Sequence, residues 1–322
     1  MGKGKKGKGE EGETRRNSAD VSPPLPFSLP LWRCGRYSLP IGRKTLVMGI
    51  VNATPDSFSG DGVLDSMAIE RALQMAADGA DILDIGGEST RPGAEIISLE
   101  DEWNRVAPIL KTLVARIEIP LSLDTTKAEV ARRALENGAS IINDISGATA
   151  DAAMPGVLQA GDCGIVLMHR RGTSQTMQYS AKVKTEKVPN MGEQSEDLIE
   201  EIQNFWRARV TALDDLRIPN ERICLDAGFG FGKSLEENLE ILRRGRELKS
   251  FQVQDFQFPI LSATSRKSTI GKVLGNLPPE ERIFGTAATT AIAICNGADI
   301  IRVHDVKEMA EVARMTDAVT RN

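Results

Sequence analysis

A single-domain α/β fold, the (β/α)8 TIM barrel, is what this sequence predicts. Three observations point to it. Eight short, near-continuously apolar runs recur from Lys44 to the C-terminus, as strands buried on both faces should. Longer amphipathic runs alternate with them, as crossover helices require. The apolar runs also end in polar or charged residues, which a barrel would gather on one rim. An open doubly wound sheet is the alternative. It would more often carry a Gly-rich phosphate turn after its first strand, where this chain has "NATPDSFSGDG".

Taken in order, residues 1–27 hold glycine, proline and mixed charge with little to bury, and read as a disordered tail before a barrel domain of residues 28–322. The tail has no apolar run of the secretory kind, and its acids argue against a transit peptide. The strands are "TLVMGIV", "ILDIGG", "PLSLD", "IINDIS", "GIVLMH", "ICLDAG", "PILSATS" and "IIRVHD". Between the first two, Ile69, Leu73, Ala76 and Ala77 mark one helix face, with Asp65 or Ser66 as the expected cap. Trp103, Val106, Leu110 and Leu113 mark the next, with Ser98 and Asp101 at capping-box spacing. The junctions "GADILDI", "GASIINDI" and "GADIIRV" echo one another, a glycine stopping each helix and an alanine leading into the next strand.

Composition narrows the function. The chain has 322 residues, 41% hydrophobic and 26% charged, with a net charge of -5. That is ordinary globular material, with no electrostatic case for nucleic acid. No run reaches the length of a membrane span. Cys34, Cys163, Cys224 and Cys295 are scattered without metal-ligand spacing, and read as reduced core thiols of a cytoplasmic protein.

The polar strand ends are Asn52, Glu88, Asp124, Asn143, His169, Asp226, Ser265 with Lys267, and Arg302 with His304. One such residue alone is more often structural than catalytic. Eight strands ending this way are harder to assign to packing, because buried polar groups cost free energy unless satisfied. The stretch "DAGFGFGKS" ends like a P-loop. Yet Ala227 stands where the opening glycine would be, Phe229 and Phe231 are bulky for a phosphate cradle, and Asp226 opens it with a carboxylate. Its place in the sixth strand–loop unit suits a flat, hydrogen-bonding heterocycle better than ATP.

Together, "MGIVNATPDSFS", "DIGGESTRPGA", "SLDTTK", "INDISG", "LMH" with a later "TMQ", "LDAGFGFGKS", "SRKSTIG" and "RVHDV" resemble dihydropteroate synthase, in that family's order. The resemblance implies condensation of 6-hydroxymethyl-7,8-dihydropterin pyrophosphate with 4-aminobenzoate, giving 7,8-dihydropteroate and pyrophosphate with Mg2+ assisting. It implies a pterin site of Asp124, Asn143, Met168, Asp226 and Lys267. It implies a pyrophosphate site of Asn52, Arg302 and His304, with Asn52 also contacting Mg2+. Of these, Asp124, Lys267, Arg302 and His304 are the expected catalytic residues. Asp56 would lie near the metal shell, and Phe58, Pro92, Phe231 and Ser268 beside the aminobenzoate. Thr90 and Arg91 would serve the pterin side or loop closure. A homodimer through late outer helices is also implied. Departures from the family include Ala227 in place of proline and the pair Arg170–Arg171 after "LMH". A methyltetrahydrofolate:corrinoid methyltransferase would share the acids, with no need for "TPDSF" and "SRK". A catalytically silent pterin-binding barrel is the rival of another class.

Overall fold

A computed structural model of the chain describes residues 1–2, 4, 30–53, 63–89, 94–173, 176 and 197–321. All of the expected tail but Met1, Gly2 and Gly4 therefore lies outside the described residues. Eight parallel strands close into a barrel. They are β3 (Leu46–Asn52), β4 (Ile82–Gly86), β5 (Leu121–Asp124), β6 (Ile141–Asp144), β7 (Gly164–Met168), β8 (Ile223–Asp226), β11 (Ile260–Ser262) and β12 (Ile300–Val303). Each falls within one of the eight apolar runs, except that β3 runs one residue further, to Asn52. Closure comes from β12 pairing with β3, Ile300 opposite Leu46.

The period of two along each strand splits the core. Val47, Leu83, Leu123, Ile142, Ile165, Leu225 and Ile301 face the helices. Met48, Ile82, Ile141, Val166, Cys224 and Ile300 fill the barrel interior. Asp84, Asp124, Asn143, Asp226 and Arg302 share the interior parity, nearer the C-terminal ends of their strands.

The outer ring is α1 (Val63–Ala77), α2 (Leu99–Val114), α3 (Ala128–Glu136), α4 (Met154–Ala160), α5 (Leu198–Asp214), α6 (Leu235–Arg243), α7 (Gly245–Lys249), α8 (Ser268–Val273), α9 (Ile283–Cys295) and α10 (Val306–Thr320). α1 begins at Val63, so neither Asp65 nor Ser66 is its cap. Apolar periodicity located the face but not the first turn. Ser98 does cap α2, its Oγ accepting from the Asp101 N–H at 3.1 Å. Asp101, however, accepts from the Ser98 hydroxyl rather than from its backbone. The reciprocal box belongs to Ser234, the last residue of the P-loop-like stretch, and Glu237 at the start of α6. Cys34, Cys163 and Cys224 are buried thiols, whereas Cys295 is exposed and corrects the expectation of a core position.

Two hairpins had no counterpart in the expected pattern. β1 (Leu31–Cys34) and β2 (Tyr37–Pro40) pair across Gly35, whose φ of 60° suits the turn. Trp32, Cys34 and Ile41 pack with the interior residues at the N-terminal end of the barrel. The second pairs β9 (Gln252–Val253) with β10 (Phe256–Gln257).

Candidate active site

The mouth is built from strand ends that meet only when the barrel closes. Arg302 on β12 reaches across the interior. Its Nε donates to Asp84 Oδ2 at 2.6 Å and its Nη2 to Asp124 Oδ2 at 2.7 Å. Asn143 on β6 donates to the same Asp84 oxygen at 3.0 Å. Asp84 Oδ1 is buried with no hydrogen-bond partner among the described residues. Burial pushes Asp124 up to about 7; Arg302 pulls it down, and the charge on Asp84, which shares that guanidinium, pushes it up. For Arg302, burial works against its charge, but Asp84 and Asp124 hold it protonated.

Asp226 closes β8, and its Oδ1 accepts from the Gly228 N–H at 2.7 Å. Burial raises its carboxyl, and Lys267 offsets part of that. Lys267 donates to the Phe229 carbonyl. Its ammonium lies 4.5 Å from the centre of the Phe231 ring, a cation–π contact. Burial lowers this ammonium to about 8. Phe231, Met168 and Ile145 form one small buried cluster at this end of the barrel. Flat apolar walls with carboxylates at their edges are what a fused heterocycle with N–H donors would need.

The same stretch answers the P-loop question. Lys233 Nζ donates to the carbonyls of Gly228 at 2.9 Å and His169 at 3.3 Å. It is 6% exposed and binds the protein's own backbone, so it is not a phosphate ligand.

Just past the end of β12, His304 lies two residues after Arg302. Its backbone N–H donates to Ser265 Oγ at 3.2 Å, and its Nδ1 lies 3.0 Å from the same oxygen. One proton is shared between the Ser265 hydroxyl and Nδ1, and the ring tautomer decides which of the two donates. Burial, then Arg302, depresses His304 to about 3. A neutral ring donates to an anion from whichever nitrogen carries its proton. Arg266 forms a fork onto Asp305, its Nε bond measuring 2.9 Å, and this ties the loop carrying Lys267 to the one carrying His304. Asn52 ends β3 with its side chain exposed, and Ser268 opens α8, also exposed. A cavity of about 40 Å³ beside Asp124 is lined by Glu88, Ser89, Glu102, Thr125, Thr126, Ile145 and Arg170.

Asp56, Phe58, Thr90, Arg91 and Pro92 lie outside the described residues. His169 is buried edge-on against Phe205 at 5.2 Å, and burial depresses it to about 4. Its Nε2 is 3.3 Å from Glu201, without hydrogen-bond alignment. Sequence reasoning passed over three residues. Asp84 sits mid-run in "ILDIGG", where a carboxylate flanked by apolar residues was itself the signal. Ile145 follows Asn143 at strand spacing. Lys233 was weighed only as a P-loop lysine.

The family model described as "Pterin binding enzyme" matches residues 48–304. The dihydropteroate synthase of Synechocystis sp. is 45% identical over 301 residues, 93% of this chain and 96% of that one. Burkholderia cenocepacia dihydropteroate synthase complexed with 7,8-dihydropteroate superposes with a TM-score of 0.78 at 39% identity, covering 91% of this chain and 98% of its own. The Xanthomonas albilineans dihydropteroate synthase with 4-aminobenzoic acid superposes with a TM-score of 0.78 at 35% identity, covering 90% and 98%. With this fold, this mouth and these likenesses over nearly its whole described length, the chain belongs to the dihydropteroate synthase family of pterin-binding enzymes.

Proposed function

We infer that the chain catalyses the dihydropteroate synthase reaction, joining 6-hydroxymethyl-7,8-dihydropterin pyrophosphate to 4-aminobenzoate. The observation that carries this is the convergence of Asp84, Asp124, Asn143 and Asp226 with Arg302 in one barrel mouth. The methylene C–O bond breaks and its electron pair leaves with pyrophosphate. The arylamine lone pair forms the new C–N bond, and the amine then releases a proton to solvent or to the departing pyrophosphate. The attacking amine is already neutral, so the site's work is electrostatic rather than that of a strong base.

Asp226 accepts the pterin's amino and ring N–H groups, each charge-assisted bond contributing about 1.5–3 kcal/mol. Asn143 and Lys267 meet the ring's remaining polar atoms, Met168 walls it, and Phe231 borders the aminobenzoate. Asp124 places negative charge near the methylene as that carbon becomes cationic. Arg302 and the His304 ring hold the departing pyrophosphate. Because two Arg302 nitrogens already bond Asp84 and Asp124, the phosphate is met by the remaining Nη1 or by a rearranged fork. Ser268, exposed at the start of α8, is assigned to the aminobenzoate side.

Among the described residues no group of three or more His, Cys, Asp or Glu is set to hold a metal. The exposed Asn52 offers one amide oxygen. That donor set fits Mg2+, which keeps several waters and shares phosphate oxygens. When bound, the ion would neutralise charge on the leaving group.

The homodimer is supported by exposed Phe284 and Ile292 on α9 and Met315 and Val319 on α10, two outer helices packed on each other; the solution mass tests it. A cytoplasmic location is supported by free thiols in all four cysteines, and no helix among the described residues is long and apolar enough to cross a membrane. Pyrophosphate release that requires both substrates tests the activity. A corrinoid methyltransferase or a silent pterin binder would release none.

A further inference from the structure

The lysine of the P-loop-like stretch has no part in the chemistry above, yet it is among the most enclosed charges in the molecule. Its side chain enters from the start of α6 and ends where three backbone carbonyls converge. Nζ donates to Gly228 O at 2.9 Å, His169 O at 3.3 Å and Phe231 O at 3.4 Å. An ammonium has three protons, and all three are matched. No carboxylate among the described residues pairs with it directly. Burial pushes it down to about 7, so the carbonyls hold a cation that its surroundings otherwise disfavour.

Two loops are pressed together at this point. A Cβ on Gly228, where φ is 67°, would lie 1.8 Å from the His169 carbonyl oxygen. That approach crowds carbonyl dipoles with little water to separate them, and a cation among them removes the repulsion. Both loops lead to the mouth. The His169 N–H donates to Asp226 O at 2.9 Å. The Asp226 carboxylate accepts from Gly228 N. Phe229 O accepts from Lys267, whose ammonium also lies over Phe231.

We propose that Lys233 is a positioning residue for the reaction inferred above: it clamps the loops after β7 and β8 so that Asp226, Phe231 and Lys267 stay aligned around one substrate. Lysine suits the task because three convergent acceptors need a compact three-donor cation, which the planar fork of arginine is not. The proposal rests on the functional reading, and one set of assays separates the two.

Lys233→Met keeps length and removes the donors; Lys233→Gln keeps two N–H donors and carries the same comparison should the Met variant not fold. Steady-state kinetics on the folded fraction are expected to show KM for the pterin pyrophosphate raised about tenfold or more in Met and less in Gln, with a smaller change in kcat. A role in stability alone would lower the folded fraction and leave KM unchanged, and that result overturns the proposal. In a double-mutant cycle with Lys267→Met, the combined loss in kcat/KM is expected to fall short of the product of the single losses. Strict additivity would show that Lys233 does not act through Lys267 and would also overturn it. Wild-type protein that releases no pyrophosphate sinks the functional reading and this one with it. A working wild type beside variants of unchanged KM sinks this one alone.

Discussion

The two ends of the barrel are made by the same eight strands and are opposite in character. At the N-terminal end the β1–β2 hairpin fills the opening. Trp32 is fully buried there, and its indole N–H donates to the Arg222 carbonyl at 2.9 Å. Gly164 has no Cβ because one would meet Cys34 Sγ at 2.5 Å. The charged groups at this end are matched. Arg222 donates to the carbonyls of Cys163 and Leu158, both at 2.7 Å. Asp299 accepts from the Ile260 N–H at 2.9 Å and from Lys249 at 2.6 Å. At the C-terminal end, Asp84, Glu102 and Asp144 each keep a buried carboxylate oxygen without a hydrogen-bond partner among the described residues, and burial raises Asp124 and Asp226. At the N-terminal end the match is less complete for neutral groups, since Asn220 Oδ1 before β8 also lacks a partner among the described residues. The C-terminal end carries the larger share of unsatisfied buried carboxylates, at a cost in stability.

That contrast can be broken at either end. The largest effect is expected from Trp32→Ala, which should cost about 3–5 kcal/mol of stability in denaturant titration. Activity per folded molecule should stay nearly unchanged, and a matching fall in activity would mean the ends are not separable. Next is Arg302→Ala, expected to lower kcat/KM for pyrophosphate release by about 10²–10³; near-normal turnover would remove Arg302 from the leaving-group role. Asp226→Asn keeps the shape of the side chain and removes the charge. Pterin affinity by calorimetry should fall roughly ten- to a hundredfold, while thermal stability rises, because burial disfavours that carboxylate. Unchanged binding would take Asp226 out of the pterin site.

The smallest effect is in pH, where one proton acts in two directions. Asp124 ionises only as pH rises through about 7, so turnover should climb across that range. Its ordinary value is 3.8. Between there and about 7 the folded protein keeps a proton that the unfolded chain has lost, so this group's contribution to stability falls as pH rises. Asp124→Asn should flatten both slopes. A rising activity limb that survives in that variant would assign it to another group.

Much of this was legible before any coordinates. The apolar runs marked all eight barrel strands, and their polar ends marked Asp124, Asn143, Asp226, Lys267, Arg302 and His304. Other features were not legible, for particular reasons. The β1–β2 hairpin is two four-residue strands, too short for periodicity to separate from a loop. The cap of α1 was misplaced because Asp65 and Ser66 are good caps by residue type, and type does not say where the first turn begins. Glu237 completing a box with Ser234 was obscured because Ser234 reads as the end of a phosphate loop.

Alternation along each strand determined, from sequence alone, only which residues share a face; with runs apolar on both sides, the inward face needed the structure. Partnership needed the closed barrel. Arg302 meets Asp84 across 218 positions of chain, and Lys233 meets the His169 carbonyl across 64. Those pairings depend on how far each strand is staggered against the next and how closely two loop backbones approach. Both are set by closing the whole sheet and packing its helices, a long-range condition that no local pattern encodes.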